Sequence, residues 1–291
     1  MRFARVTSYR HELGDWMRAR RAPDVRLSGL LLDRELLGYQ HSRAQFASWL
    51  EPPRGGRDRV TVMIDLDGRL DADGEPLPDA WIGGLADRPT IVGFGETYGS
   101  IDLKLNPLGA YTLTGLPLSE LTGACVPLDD VFGIAGRELV AGIRETEDWD
   151  ERFDLVEAFL VRRMYRTPRA PAPDPAVAWA WERMRASHGG VRVEALAREI
   201  GCSSRYLRDG FVRQVGLPPK TVGRLLRFHA VRERVARGRA GSGSWAEIAR
   251  ATGYADQSHL NREFRELAGT TPGDFVRRLI PEGGVIGDRS H

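Results

Sequence analysis

The sequence predicts an α+β chain of two domains: a β-rich first domain with closing helices and a second domain made only of helices. Three observations support this fold class. Four prolines between residues 168 and 175 exclude a helix there, short apolar runs precede them, and helical periodicity with an internal repeat follows them. The predicted boundaries are 1–165 for the first domain, 166–175 for a linker, 176–281 for the second domain and 282–291 for a flexible tail.

Composition indicates a globular protein without a membrane span. The chain has 291 residues, 42% hydrophobic and 28% charged, and no apolar run approaches the roughly 18 residues that cross a bilayer. The Arg-rich N-terminus lacks the apolar stretch of a signal peptide, so we expect a cytoplasmic location. Cys125 and Cys202 lie far apart without neighbouring Cys or His ligands, which disfavours a disulfide framework and a zinc site.

Charge is distributed unevenly along the chain. Residues 176–291 hold 20 Arg and Lys against 12 Asp and Glu, a net +8, whereas residues 1–175 hold 22 against 28, a net −6. Arginine supplies nearly all the positive charge, since Lys104 and Lys220 are the only lysines. Forked arginine donors suit phosphates and guanine edges, so the second domain is expected to bind a polyanion.

The first domain is predicted to be an antiparallel sandwich or barrel. Short runs separated by Gly, Asp and Pro predict strands at 60–66, 80–85, 90–94, 101–105 and 111–114. From about Val131 the pattern changes, and apolar residues spaced by three and four over 149–164 predict a closing amphipathic helix.

Several aromatic residues of the first domain are open to two interpretations. They could line an apolar ligand pocket, but aromatic residues on strands belong to the core more often. The residues are Trp49, Trp81, Phe94, Tyr98 and Tyr111.

The second domain contains an internal repeat. The segment 196–201 aligns with 248–253, and the apolar residues Leu207 and Phe211 align with Leu260 and Phe264. In each copy a short helix ends at a glycine, a tight turn follows, and a second helix begins with apolar residues four positions apart. This pattern is typical of two helix-turn-helix units.

The ends of these helices carry capping signals. Ser203 is a predicted N-cap, Ser244 and Glu247 have the spacing of a capping box, and Thr271 before Pro272 opens a last helix. Between the two units, residues 219–237 predict a single helix of about 27 Å that separates them.

The residues opposite the apolar anchors are candidates for contact with DNA bases. A helix that enters the major groove presents Arg, Asn, Gln or Ser to base edges on that face. The candidates are Ser204, Arg205, Arg208 and Asp209 in the first unit and Gln257, Ser258, Asn261 and Arg262 in the second. Arg227, Arg232 and Arg250 are candidates for phosphate contacts that fix the register.

The segment Gly-Tyr-Ala-Asp-Gln-Ser-His-Leu-Asn-Arg-Glu-Phe at 253–264, followed by Gly-Thr-Thr-Pro at 269–272, resembles the signature of AraC/XylS-type transcription regulators. The resemblance covers about residues 176–280. It implies a seven-helix domain whose two helix-turn-helix units contact successive major-groove segments on one DNA face. By the same resemblance, Arg205, Arg208, Asp209, Gln257, Ser258, Asn261 and Arg262 are the positions that contact bases.

The first unit departs from the family pattern. Leu-Arg-Asp-Gly-Phe stands at 207–211, so Asp209 occupies a position where the family usually has arginine. A carboxylate cannot donate to guanine and repels phosphate, although it can accept from cytosine N4. Gly210 lowers helix propensity by roughly 1 kcal/mol relative to alanine. Sequence readout by the first unit is therefore expected to be altered, with Arg208 available to compensate.

The resemblance also implies a cupin-like first domain that binds a small effector, dimerises, or both. Metal binding is not expected, because its only histidines are His11 and His41, thirty residues apart. The effector itself is not identified, and no cofactor is expected.

The expected function is that of a sequence-specific DNA-binding transcription regulator, with activation the commoner behaviour in the family. Double-stranded DNA is the expected partner, and RNA polymerase, a small effector and a second copy of the chain are further candidates. The alternative is an enzyme-like first domain that processes a small molecule and is fused to a DNA-targeting domain. No Ser/His/Asp or Cys/His spacing in residues 1–175 favours catalysis, so no enzyme is expected.

Overall fold

The computed structural model describes residues 3–11, 14–32, 35–42, 48–51, 59–67, 70–166, 171–236 and 244–278. Residues 167–170 of the predicted linker and the predicted tail 282–291 lie outside these ranges. In the described residues a β-rich part precedes a part that contains only helices, as the sequence predicts.

The first part is built on antiparallel strands. In chain order they are β1 (Arg5–His11), β2 (Gly14–Arg21), β3 (Leu36–Ser42), β4 (Ser48–Glu51), β5 (Val60–Asp67), β6 (Asp71–Ala72), β7 (Glu75–Pro76), β8 (Ala80–Gly83), β9 (Thr90–Gly93), β10 (Tyr98–Leu105) and β11 (Val126–Pro127). Within the described residues they form a seven-stranded sheet, β1-β2-β3-β10-β5-β8-β11, and a four-stranded sheet, β4-β9-β6-β7.

Eleven α-helices lie in the described residues. Four belong to the first part: α1 (Pro107–Thr114), α2 (Leu128–Phe132), α3 (Ile134–Glu145) and α4 (Trp149–Arg166). The others are α5 (Pro175–Ala186), α6 (Val193–Ile200), α7 (Ser204–Gln214), α8 (Pro219–Ala236), α9 (Trp245–Ala251), α10 (Gln257–Ala268) and α11 (Pro272–Arg277). No helix among the described residues is long and apolar enough to span a bilayer.

One face of the larger sheet packs on α4. Cross-strand pairing aligns Gly38 with Ile101 and Ile101 with Ile64, which gives this face small and aliphatic residues. Gly38 allows the Trp149 ring to approach the sheet, because a Cβ at Gly38 would lie 2.0 Å from Trp149 Cζ3. The predicted amphipathic helix over 149–164 is confirmed as α4, and its buried residues belong to the main core.

The opposite face carries a second, smaller apolar cluster. Trp81, Phe94 and Tyr98 are buried there together with apolar residues of β5 and β9. Tyr111 is not part of this group, since it lies on α1 and packs against the main core. The side chain of Trp49 lies outside the described residues. The five aromatic residues singled out by the sequence therefore do not line one pocket together.

The strand predicted at 111–114 is wrong, because these residues form the end of α1. The Asn106 side chain caps this helix by accepting from the Leu108 N–H, and Pro107 occupies its first turn. These start signals precede the short alternating run, which by itself favours a strand.

The predicted ends of the second-part helices are confirmed. Ser203 accepts from the Tyr206 N–H, and Ser244 and Glu247 form the reciprocal capping box. Thr271 caps α11 with Pro272 in the first turn. The long helix predicted at 219–237 is observed as α8, and Arg237 lies outside the described residues.

The close approach of Trp149 to Gly38 predicts the effect of adding one methyl group. We expect Gly38→Ala to lower the free energy of unfolding by about 1–3 kcal/mol, because α4 must move away from the sheet. Gly29→Ala is the control, since a Cβ there meets no atom within 4 Å. Urea unfolding measures both, and equal stabilities for the two variants would contradict the packing described here.

Candidate nucleic-acid interface

The first helix-turn-helix unit consists of α6 and α7. Gly201 ends α6 in the left-handed conformation, at φ 76°, and the Cys202 N–H donates to the Ala197 carbonyl. Leu207 and Phe211 are fully buried on the inner face of α7. The base-contact candidates of this unit, Ser204, Arg205, Arg208 and Asp209, are all exposed on its outer side.

Asp209 lies between the two arginines of that outer side. One of its oxygens is 3.7 Å from Arg205 Nε, and the other is 3.9 Å from an Arg208 Nη atom. Because all three side chains are well exposed, these pairs add little stability. They do reduce the local positive charge of this surface.

Gly210 has a packing role that the sequence does not reveal. A Cβ at this position would lie 2.6 Å from Val177 Cγ2 on α5, so a larger residue would push the two helices apart. The helix propensity lost at Gly210 is therefore accompanied by a close α5–α7 contact.

The second unit consists of α9 and α10. Gly253 turns the chain at φ 82°, and the Asp256 side chain caps α10 by accepting from the His259 N–H at 2.7 Å. Leu260 and Phe264 are buried on the inner face of α10. On the other side Gln257, Ser258 and Arg262 are exposed, and Asn261 is half-buried.

A buried carboxylate connects α10 to α8. The side chain of Glu263 is 9% exposed, and its Oε1 accepts from Arg224 at 3.1 Å and from Arg227 at 3.3 Å. His259 Nε2 lies 3.6 Å from the same oxygen. We call these four residues the Glu263 cluster. It links the recognition helix of the second unit to the helix that joins the two units.

Arg227 extends the cluster to a third part of the domain. It also donates to the Gly189 carbonyl at 3.0 Å, and its guanidinium lies 5.6 Å from the centre of the Tyr254 ring. Burial and the nearby Glu263 carboxylate raise the pKa of Tyr254 above its ordinary value, so this hydroxyl stays protonated. Arg227 is therefore engaged inside the protein.

The other two phosphate-contact candidates lie in different surroundings. The Arg232 guanidinium lies 5.6 Å from the centre of the Phe275 ring, and its side chain is half-buried. Arg250 is exposed at the end of α9.

Sequence reasoning missed the roles of Glu263 and Arg224. The signal for Glu263 was present, because it lies three residues after Leu260 and beside Phe264, on the inner face of α10. Its partners come from a helix about 40 residues earlier, and their pairing does not follow from local spacing.

Asp174 connects the end of the predicted linker to the first recognition helix by hydrogen bonds. Its backbone N–H donates to Gln214 Oε1 at 2.8 Å, and its side chain accepts from the Tyr206 hydroxyl at 2.5 Å. This hydroxyl lowers the pKa of Asp174, and the carboxylate in turn raises the pKa of Tyr206. The same carboxylate caps α5 through the Ala176 N–H.

The end of the first unit also touches the first domain. The Thr122 hydroxyl donates to the Gly216 carbonyl at 2.8 Å, and α7 packs on the short helical turn at Leu118–Glu120. A Cβ at Gly216 would lie 2.8 Å from Thr122 Oγ1, and the φ of Gly216 is 99°. We call this group the interdomain contact. It leaves the N-terminal half of α7 exposed.

The Glu263 cluster predicts that two neighbouring substitutions lower the free energy of unfolding by different amounts. Glu263→Ala removes the shared acceptor of two partly buried arginines, so the free energy of unfolding should fall by about 2–3 kcal/mol. Glu266→Ala is the control, because Glu266 pairs with the same Arg224 but is 54% exposed, and it should cost below about 1 kcal/mol. Urea denaturation compares the two. Equal losses would mean that the buried carboxylate has no special role.

Comparisons with known proteins match the second part of the chain to a known type of domain. A family model described as a helix-turn-helix domain matches residues 196–278. The HTH-type transcriptional regulator GlxA of Rhizobium meliloti (strain 1021) is 28% identical over 178 residues, 60% of this chain and 53% of GlxA. The match thus spans about half the length of that relative.

Two solved structures give superpositions of low similarity. ToxT from Vibrio cholerae O395 has a TM-score of 0.46 and 12% identity, covering 82% of this chain and 95% of ToxT. The AraC-like transcriptional activator CuxR has a TM-score of 0.18 and 17% identity, covering 94% of this chain and 78% of CuxR.

The family match covers all of α7 to α11, including both recognition helices and the Glu263 cluster. Together with the GlxA match, it confirms the resemblance stated from the sequence. The chain therefore contains a helix-turn-helix domain at residues 196–278.

Proposed function

We propose that this protein is a sequence-specific DNA-binding transcription regulator whose α7 and α10 enter two segments of the major groove. The observation that carries this proposal is the two-sided character of α10. Leu260 and Phe264 are buried, whereas Gln257, Ser258 and Arg262 are exposed on the other side of the helix. This is the arrangement that a recognition helix requires.

The side chains of α10 offer complementary donors and acceptors. Arg262 suits guanine, whose O6 and N7 can accept both prongs of a guanidinium. Gln257 and Asn261 suit adenine, since an amide both donates and accepts, and Ser258 suits either base or phosphate. These four residues are the proposed base contacts of the second unit.

The first unit has a different chemistry on its outer side. Arg205 and Arg208 are the proposed guanine or phosphate contacts, Ser204 lies beside them at the start of α7, and Asp209 can accept from cytosine N4. Because Asp209 pairs with both arginines, their contacts with DNA compete with an internal ion pair. We therefore propose that the first unit contributes less affinity and a different base preference than the second.

The three arginines proposed for phosphate contacts lie in different surroundings. Arg250 is exposed and keeps this role, and the half-buried Arg232 on α8 shares it. Arg227 donates to Glu263 and Gly189 inside the domain. We propose that Arg227 positions α10 and does not contact phosphate.

The first domain is proposed to be a cupin-like unit that senses a small molecule or dimerises the chain. Its two antiparallel sheets support this architecture. We place the first domain at 1–165, the linker at 166–175, the DNA-binding domain at 176–281 and a tail at 282–291. Transcription activation in the cytoplasm, with contact to RNA polymerase, is the proposed mode of action. The description of GlxA as a transcriptional regulator supports the regulatory role.

Selection from a random duplex library tests the proposed function directly. The full-length protein is incubated with the library at two salt concentrations, and the retained fragments are sequenced. We expect an enriched motif with two parts whose centres lie about one helical turn, roughly 34 Å, apart. Uniform retention without a motif at either salt concentration would contradict sequence-specific binding.

Substitution of two exposed arginines separates base contacts from phosphate contacts. Arg262→Ala should cost about 1–3 kcal/mol on the selected site and relax preference at one base position. Arg250→Ala should weaken binding to all sequences alike and reduce the salt slope by about 1. Arg137→Ala is the control, because Arg137 is exposed on α3 in the first domain and should leave affinity unchanged. Equal losses for Arg262→Ala on every sequence would contradict its assignment to a base.

A further inference from the structure

Arginines face one another across the first two strands of the larger sheet. Arg5 on β1 is directly opposite Arg20 on β2, and Arg18 lies on the same face two residues away, opposite Thr7. Directly opposite residues of an antiparallel pair have their Cβ atoms about 4.5–5.5 Å apart, so like charges there are destabilising. This arrangement needs a compensating negative charge.

The described residues compensate this pair only in part. Arg20 has Glu35 at 3.6 Å, but both side chains are well exposed, at 40% and 49%. Arg5 has no carboxylate within salt-bridge distance in the part of the chain that the structure describes. Other arginines nearby lie close to acidic residues: Arg10 is opposite Asp15 in the strand register, and the buried Arg21 pairs with three carboxylates of α4.

The opposed arginines line a cavity of about 340 Å³. Its wall also includes Phe3, Tyr9 and Thr7, and the carboxylate of Glu35 that pairs with Arg20. Phe3 is 68% exposed, which is unusual for a phenylalanine without a partner surface. The volume is within the range of sites for small organic molecules.

We propose that this cavity binds a small organic anion, a carboxylate or phosphate ester with an aromatic or aliphatic body. The acidic group lies between Arg5 and Arg20, where two guanidinium forks can each donate two hydrogen bonds. The apolar body packs on Phe3 and Tyr9. A bound anion removes the repulsion between the arginines and covers the exposed ring.

A small anion fits this surface better than the backbone of DNA does. Phosphate chemistry is common to both, but residues 1–175 carry a net charge of −6. A long polyanion is repelled by that surrounding charge, whereas a small anion in the cavity lies beside the two arginines and competes with Glu35 for Arg20.

Titration calorimetry of the full-length protein without DNA tests the proposal. The probes are phenylacetate and phenyl phosphate, with the neutral phenylacetamide as the matched control, all at constant ionic strength. We expect saturable binding of at least one anion and none of the amide. Arg5→Gln should weaken that binding about tenfold or more, and Arg10→Gln should leave it unchanged. Arg10 is the control because it is exposed on the same strand and faces Asp15.

Thermal melting of the unliganded variants checks that they are folded. Arg5→Gln should melt no lower than the wild type, because it removes a like-charge pair. The proposal is overturned if neither anion binds up to about 10 mM, if the amide binds equally, or if Arg5→Gln binds as the wild type does. It is also overturned if Arg5→Gln weakens the binding of a short random DNA duplex but does not weaken the binding of the small anions. None of these binding and melting measurements depends on the proposed regulation of transcription.

Discussion

The position of α10 depends on one buried carboxylate. Glu263 accepts from Arg224 and Arg227 of α8 beside the contact of Phe264 with Phe228, whose ring centres are 4.7 Å apart. The aromatic contact supplies burial without fixing rotation about the helix axis, whereas charged hydrogen bonds are directional. Together they fix which side of α10 faces outward, and the proposed contact of Arg262 with a base follows from that orientation.

The two recognition helices are held by different parts of the molecule. α10 is held by α8 within its own domain, but α7 is also in contact with the first domain through Thr122 and the turn at Leu118–Glu120. Asp174 adds a connection from the linker to both ends of α7, at Tyr206 and Gln214. The first domain therefore contacts the first unit at several residues, whereas near the second unit a Cβ at Gly269, which ends α10, would lie 3.7 Å from Pro89 Cγ.

Local signals in the sequence predicted much of the second part of the chain. Caps such as Ser203 and Ser244 act within four residues, and the repeated glycine turns fix the boundaries of both units. The first domain was harder to predict from the sequence. The alternating run at 111–114 is too short to outweigh the N-cap at Asn106, which begins a helix. The internal role of Arg227 depends on contacts with residues about 40 positions away, which spacing along the chain does not reveal.

The most direct test of the account is a methylation-interference experiment on a DNA site selected by the full-length protein. Guanine N7 methylation blocks contacts in the major groove, so it reports where each recognition helix binds. The account predicts two groups of interfering guanines about one helical turn apart on the same face, with Arg262→Ala abolishing interference in one group only. Interference confined to one group, or groups on opposite faces of the duplex, would contradict the binding of both helices in successive segments of the groove.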